Sequence, residues 1–219
     1  MAKRALKFGD YSTASDGWTL SALSLSYPER RSNYIDVPGR DGSLDLSAIL
    51  SDEPIYGTRE LLATLELSAG TRAQRNDLVS KLINAYHGRD VQITLPDDPD
   101  HTLTARPAFS VQYHTAAHVA VDINAVCQPW RIAKASKAII ADAAAASLAV
   151  QLPNNGSRTE VPEITVTGTA DITIVHDAST WTVSPGTHIL PDLRIPAGGI
   201  TCSISGAGQI KFAYEEAIL

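Results

Sequence analysis

Alternation of apolar and polar residues with a period of two is the feature that most constrains the fold of this chain. Apolar side chains recur at every second position in the segments 61–67, 91–95, 109–113 and 119–123. This period places successive side chains on opposite faces of a β-strand. The segment His114–His118 has the length of a hairpin loop. The pattern predicts an antiparallel sheet with one buried face.

One helix interrupts this pattern. Thr71 is followed three residues later by Gln74, which is the spacing of a capping box. Gly88 supplies a residue that readily adopts the left-handed conformation at a helix C-terminus. Apolar residues between these positions recur at helical spacing, namely Leu78, Val79, Leu82, Ile83 and Tyr86. The sequence therefore predicts an amphipathic helix over Thr71–His87 that covers one face of the sheet.

The chain changes character after Trp130, where short strands and Gly-rich turns replace the helical pattern. Alternating apolar residues mark five further strands around residues 164–166, 172–174, 181–183, 200–204 and 210–214. Short strands at regular spacing are typical of a β-sandwich. We therefore predict a mainly β protein with two domains. Residues 1–132 form an antiparallel β-sandwich-like domain with one α-helix, and residues 133–219 form a second β-sandwich. Trp130 is predicted to be buried at the junction.

The charge balance argues against a nucleic-acid-binding protein. The 219 residues include 18 Lys and Arg against 24 Asp and Glu, which gives a formal net charge of −6. Proteins that hold nucleic acid through its phosphates carry a basic patch, and the sequence has no dense run of Lys or Arg. The most apolar stretch, Ala138–Val150, is too short to span a bilayer. No apolar run follows the basic residues near the start, so we expect synthesis in the cytoplasm without a signal peptide.

Three histidines and an acidic segment are the candidate metal ligands. His101, His114 and His118 could hold zinc, but the last two bracket a predicted turn and no further ligand is assured. The acidic segment 97–100 lacks the alternating ligands, central Gly and distal Glu of a calcium loop, so we predict a solvated turn there. We expect no metal and no other cofactor.

Other candidate features have structural interpretations. Cys127 and Cys202 lie on the apolar phase of predicted strands, which favours buried thiols. The run Gly206-Ala207-Gly208 lacks the third Gly and the helix of a dinucleotide site, so a hairpin turn is predicted. Trp181 and Tyr214 could form a sugar-binding face or belong to the core. The sequence has no G-x-S-x-G, H-E-x-x-H or P-loop motif, and we predict no enzyme activity.

The segment Tyr34–Leu50 contains the most distinctive motif. Two predicted strands flank a Pro-Gly pair and the charged turn Arg40-Asp41-Gly42. Turn chemistry explains a hairpin here but not a function. The sequence VPGRDGSLD, Val37–Asp45, resembles the N-terminal hairpin motif of phage distal tail proteins. These are hub proteins at the tail tip of phages with long non-contractile tails.

The resemblance continues in the same order along most of the chain. It includes Tyr56-Gly57, the predicted strand Glu60–Leu67, the predicted helix and the sequence GRDVQITL at 88–95. The ending F-x-Y-x-E-A-x-L, Phe212–Leu219, is similar to an ending common in tail-tip proteins.

The resemblance implies a structural virion protein at the distal end of the tail. Distal tail proteins form a hexameric ring from their N-terminal domains, with galectin-like C-terminal sandwiches outside it. One face of the ring docks the tail tube, and the other holds the tail fibre or tail-associated lysin and often receptor-binding proteins. DNA passes through the ring. A net charge of −6 on each subunit makes tight nonspecific DNA binding by such a ring unfavourable.

Exposed loops of the N-terminal domain are the expected ring contacts. Arg40, Asp41 and Arg59 are the candidate interface residues, because Arg–carboxylate pairs fix the orientation of neighbouring subunits. The alternative is that these charges are solvated and contribute little. A second hypothesis is a carbohydrate-binding host-attachment module, which would need an exposed aromatic platform that includes Trp181. A wall hydrolase would need two carboxylates in a cleft, and no sequence pattern identifies such a pair of carboxylates.

Overall fold

β-strands dominate the computed structural model, as the sequence predicted. The structure describes residues 4–47, 49, 53–115 and 117–219, without the side chains of residues 113–115. The chain divides into two compact units, the first ending at Arg131 with Leu219 added, and the second comprising Ile132–Ile218. The roles of these units as a ring-forming domain and a galectin-like domain stay predictions.

The first unit is built on one curled antiparallel sheet. Its strands are β1 (Lys7–Phe8), β2 (Tyr11–Ser12), β3 (Thr19–Leu25), β4 (Tyr34–Asp36), β5 (Ser43–Asp45), β6 (Arg59–Leu67), β7 (Val91–Leu95), β8 (Asp98–Thr115) and β9 (His118–Ala133). The main sheet has the strand order β2-β1-β7-β8-β9-β6-β3. Strands β4 and β5 form a separate hairpin.

The predicted alternation produces the core of this unit. The core side chains of β6 and β9 lie opposite each other in the register Leu61↔Ala125, Ala63↔Ile123, Leu65↔Val121 and Leu67↔Val119. All of these side chains are buried, while their neighbours along each strand face mainly outward. Period-two sequence and one-sided burial therefore coincide, as expected for a sheet with one wet face.

The predicted helix is confirmed as α1 (Arg72–Tyr86). Its capping box is complete, because the Gln74 amide donates to Thr71 Oγ1 at 3.3 Å and the Thr71 amide donates to Gln74 Oε1 at 2.8 Å. Val79 and Leu82 are buried against the core. Gly88 has φ +68°, the left-handed conformation that its position predicted.

The second unit consists of two four-stranded antiparallel sheets. Their strands are β10 (Lys137–Ala143), β11 (Leu148–Leu152), β12 (Glu163–Thr167), β13 (Ile172–His176), β14 (Ser179–Val183), β15 (Gly186–Ile189), β16 (Ile200–Gly206) and β17 (Gly208–Tyr214). The short strand β18 (Ala217–Ile218) lies outside these two sheets and pairs with β9. The sheet orders are β10-β17-β12-β15 and β11-β16-β13-β14. The five predicted strands are present, whereas β10 and β11 form in an Ala-rich stretch that gave no strand signal.

Two predictions for the first unit are wrong in detail. Strand β8 runs to Thr115 and β9 begins at His118, so the connection is shorter than a five-residue loop. Trp130 is half-buried rather than buried. Its ring meets that of Tyr56 edge-on with 5.5 Å between centroids. The connection between β8 and β9 is short because strand pairing extends beyond the apolar residues. Trp130 is half-buried because its contact with Tyr56 leaves part of its ring in solvent.

Candidate assembly surfaces

A long excursion from the sheet separates β3 from β6. We call residues 27–58 the arm. Its outer part is the β4–β5 hairpin, in which Tyr34, Ile35 and Asp36 pair with Asp45, Leu44 and Ser43. The hairpin turn needs glycine, because Gly39 has φ +83° and Gly42 has φ +75°. These two positions explain why the motif VPGRDGSLD contains both glycines.

Backbone hydrogen bonds hold the two sides of the arm together. The Arg31 amide donates to the Ile55 carbonyl at 2.7 Å, and the Gly57 amide donates to the Glu29 carbonyl at 2.8 Å. Nearer the hairpin, the Ser47 amide donates to Asp45 Oδ1 at 2.8 Å. Hydrogen bonds from the Ser47 side chain and amide hold the pKa of Asp45 below its ordinary value. Hydrogen bonds among its own polar groups, rather than packing of buried apolar side chains, therefore hold the arm in its conformation.

Apolar side chains of the arm remain in solvent. Tyr27, Tyr34 and Ile49 expose 83%, 60% and 68% of their surface, and Ile35, Val37 and Ile55 are also exposed. Among the arm residues that the structure describes, only Pro28 and Ser47 are buried. Clustered exposed apolar side chains mark interaction surfaces. The arm is thus the candidate contact surface of the first unit.

Two of the three predicted interface residues lie at the tip of this arm. Arg40 and Asp41 are exposed between the two turn glycines, and the Arg40 amide donates to the Val37 carbonyl at 3.2 Å. Both charged side chains are therefore available to a partner.

Arg59 differs from this prediction, because it is not in an exposed loop. It is the first residue of β6 and exposes only 5% of its surface. Its Nε donates to the Ser26 carbonyl at 2.9 Å and its Nη1 donates to the Pro129 carbonyl at 3.0 Å. Burial lowers the pKa of the guanidinium, and the charge of Arg131 lowers it further. Arg59 fastens the base of the arm to β9 and is not retained as a contact residue.

Carboxylates on the wet face of the main sheet bond to neutral donors. Asp122 Oδ1 accepts from Thr64 Oγ1 at 2.8 Å, and Glu60 Oε1 accepts from Asn124 Nδ2 at 2.9 Å. Neither bond involves a cation, so the negative charge of this face is not neutralised by these partners.

The sequence motif at the end of the chain has a packing explanation. Glu216 Oε1 accepts from Lys137 Nζ at 2.6 Å and from the Asn155 amide at 2.7 Å. The Tyr214 hydroxyl donates to the Pro153 carbonyl at 2.6 Å. A Cβ on Gly156 would lie 2.6 Å from the buried Ala217 carbonyl oxygen, so only glycine fits there. The motif closes the second unit rather than forming a binding site.

The candidate metal ligands are occupied by other partners. His101 Nδ1 lies 2.6 Å from Asp98 Oδ1, and Asp98 Oδ2 accepts from Arg131 Nη1 at 2.8 Å. His118 Nδ1 lies 3.0 Å from Ser68 Oγ, and the side chain of His114 lies outside the described residues. Asp98 is only 18% exposed, so the prediction of a solvated turn is wrong for this residue. Within the described ranges, no group of three His, Cys, Asp or Glu side chains could hold a metal ion.

The remaining candidates are structural. Cys127 and Cys202 are buried as predicted, and burial raises the pKa of each thiol to about 11. Ala207 joins β16 to β17, but the two strands belong to different sheets, so the predicted hairpin turn is wrong and the chain crosses there from one sheet to the other. Trp181 is half-buried against the core and Tyr214 is 4% exposed, so these two residues do not form an exposed aromatic platform.

No helix in the part of the chain that the structure describes is long and apolar enough to cross a membrane.

Comparison with known proteins finds no match by sequence but a match by structure. No protein-family model matches the sequence, and no curated protein matches it. The structure, however, is similar to the crystal structure of SPP1 Dit (gp 19.1) over 97% of this chain and 98% of that chain, with a TM-score of 0.67 and 14% sequence identity. This chain has the fold of a Dit protein. SPP1 Dit is described as a paradigm of the hub adsorption apparatus in phages that infect Gram-positive bacteria. The likeness to distal tail proteins that the motifs predicted is thus confirmed at the level of the Dit fold.

Proposed function

We propose that this protein is a structural virion component, the distal tail hub of a long-tailed phage. Six copies form a ring that connects the tail tube to the tail fibre or tail-associated lysin and to receptor-binding proteins. The observation that carries the proposal is the Dit fold over 97% of the chain. Fold alone does not give function, but the arm adds a surface suited to assembly. The protein acts by presenting contact surfaces and not by catalysis.

The arm supports a ring contact. A ring requires a heterologous interface, in which two different patches of each subunit meet. The exposed apolar residues Tyr34, Ile35 and Val37 beside the charged tip Arg40-Asp41 combine contact area with orientation. We therefore place the arm in the subunit interface.

The wet face of the main sheet supports passage of DNA without retention. The carboxylates of Glu60 and Asp122 are held by neutral donors, and the whole chain carries a net charge of −6. Repeated around a ring, this charge repels phosphates and does not bind them. The hub has no specific affinity for nucleic acid and resides at the distal end of the tail.

Light scattering over a concentration series tests the ring. Six copies of the 23.4 kDa chain have a mass of about 140 kDa. We expect this mass at high protein concentration and smaller species on dilution, because assembly follows mass action. Electron micrographs of the virion should show the ring at the tail tip. A strict monomer in both settings, or a closed two-fold dimer, would contradict the hub.

A double charge reversal at the arm tip tests the interface. Arg40→Glu combined with Asp41→Arg should shift the assembly midpoint to higher concentration while leaving the melting temperature unchanged, because exposed turn charges contribute little to folding. The matched control reverses two exposed charges outside the arm, Asp10→Arg with Arg89→Glu. Equal assembly of both variants would remove the arm tip from the interface.

A further inference from the structure

The segment that follows β11 contains the only Asn-Gly pair in the sequence, Asn155-Gly156. Asparagine deamidates fastest before glycine, because glycine has no Cβ to hinder attack on the asparagine side chain. In this reaction the Gly156 backbone nitrogen loses its proton and attacks Asn155 Cγ, ammonia leaves, and a succinimide ring forms. Water then opens the ring to give aspartate or isoaspartate. Asn155 is therefore chemically suited to modification without an enzyme.

The fold occupies the nitrogen that must attack. Gly156 is buried, and its amide donates to Asn154 Oδ1 at 2.9 Å. Asn154 is only 1% exposed, and its Nδ2 donates to the Arg158 and Ile195 carbonyls at 2.8 and 2.9 Å. The acceptor of the Gly156 amide is thus itself fixed. A buried amide with such a partner loses its proton only when the local structure opens.

The backbone on both sides of the attacking nitrogen is also held. Asn155 is exposed, but its amide donates to Glu216 Oε1 at 2.7 Å. The Ser157 amide donates to the Ala217 carbonyl at 2.8 Å. The Asn-Gly pair is thus tied at each end to residues near the end of the chain. It opens only when these hydrogen bonds break.

We propose that Asn155 is a deamidation site that the fold keeps latent, with Asn154 protecting it by holding the Gly156 amide. The site reacts when the segment opens, and the reaction is one-way. Isoaspartate adds an atom to the backbone between positions 155 and 156. The closed segment has no room for it, since even a Cβ on Gly156 would lie 2.6 Å from the Ala217 carbonyl oxygen. A copy that carries isoaspartate therefore cannot close the segment again. This inference does not depend on the proposed hub.

Two variants of Asn154 test the protection. Asn154→Asp keeps an acceptor for the Gly156 amide and Asn154→Ala removes it, while both lose the hydrogen bonds that Nδ2 donates. Deamidation should be about tenfold faster in Asn154→Ala than in Asn154→Asp, which is the effect of one hydrogen bond. In wild type, hydrogen exchange at the Gly156 amide should be slowed by the same factor as deamidation, and this comparison needs no variant to fold. Equal rates in the two variants, or an unprotected Gly156 amide, would overturn the role of Asn154.

Mass spectrometry of the peptide that contains Asn155 tests the latency. Folded and urea-denatured protein are incubated in the same mildly alkaline buffer, and the folded chain should deamidate at least about tenfold more slowly, because only the open state reacts. Asn33 is the internal control and should stay intact in both samples, because it is exposed but followed by the bulky Tyr34. Equal rates at Asn155 in the two samples, or an unreactive Asn155 in urea, would overturn the inference.

Refolding tests whether the modification is one-way. Protein held in urea at mildly alkaline pH is returned to native buffer beside a control held in urea at mildly acidic pH, where the Gly156 nitrogen keeps its proton. The control should regain the wild-type melting temperature, and the fraction that carries isoaspartate should melt at a lower temperature. Full recovery of that fraction would overturn the one-way step.

Discussion

Arg59 illustrates what sequence reasoning misses at the scale of a residue. A charged residue next to a loop is normally exposed, so the sequence favoured a surface contact. Its burial depends on two carbonyl groups, of Ser26 and Pro129, that are distant in sequence and meet only in the folded sheet. No local sequence pattern around Arg59 predicts that these carbonyl groups will accept its hydrogen bonds. The exposure of Arg40 and Asp41, in contrast, follows from turn chemistry at Gly39 and Gly42, and their role in the ring contact stays a prediction.

Removing the Arg59 side chain should destabilise the first unit. Arg59→Ala removes a buried side chain and the hydrogen bonds to the Ser26 and Pro129 carbonyls, and we expect the free energy of unfolding to fall by roughly 2–3 kcal/mol. Arg59→Lys should lose less, because an ammonium keeps the charge but lacks the planar fork that reaches both acceptors. Denaturant titration in a Trp181→Phe background reads the first unit through Trp18, which is fully buried, and Trp130. Identical midpoints for wild type and Arg59→Ala would contradict this role.

At the scale of elements, periodicity predicted the strands that have their own apolar face and the helix that has its own cap. Thr71, Gln74 and Gly88 were sufficient to place α1. Strands β10 and β11 were missed because alanine has little strand preference. Their conformation comes from pairing, since β10 follows β17 from Lys137 to Ala143. The hairpin of the arm was predicted from its turn, whereas its exposed apolar surface becomes visible only in the fold.

The last strands of the second unit should respond to acid through Glu216. Burial alone would raise the pKa of this carboxyl, but hydrogen bonds from Lys137 and the Asn155 amide outweigh it, and the pKa is lowered. A lowered folded-state pKa stabilises the fold above the ordinary glutamate pKa, and this contribution is lost as pH falls. Glu216→Gln should be less stable than wild type at pH 7, and the difference should shrink as pH falls below the ordinary glutamate pKa toward the lowered pKa of the folded state. A constant difference across this range would reject the linkage.

For the whole molecule, the proposed role as a structural hub predicts independence from metal. Within the described part of the chain, the candidate ligands Asp98 and His101 already engage Arg131 and each other. Dialysis against EDTA should therefore leave the melting temperature and the assembly midpoint unchanged. A drop of several degrees, reversed by adding zinc, would restore His101, His114 and His118 as candidate ligands. The metal-replete protein dialysed without chelator is the control.

The fastening of the arm by Arg59 has a mechanical consequence. A pull on the arm loads the Arg59 bonds to Ser26 and Pro129 together with the bond from the Ser26 amide to the Glu60 carbonyl, which measures 2.9 Å. Hydrogen bonds that resist a pull in parallel, as these do, must break at the same time. Hydrogen bonds that are pulled one after another break singly. Tension on the arm is thus passed to β9, a 16-residue strand inside the sheet. A load on the arm is therefore carried by the paired strands β6 and β9, whose register runs from Arg59 to Leu67, and not by the loops of the arm.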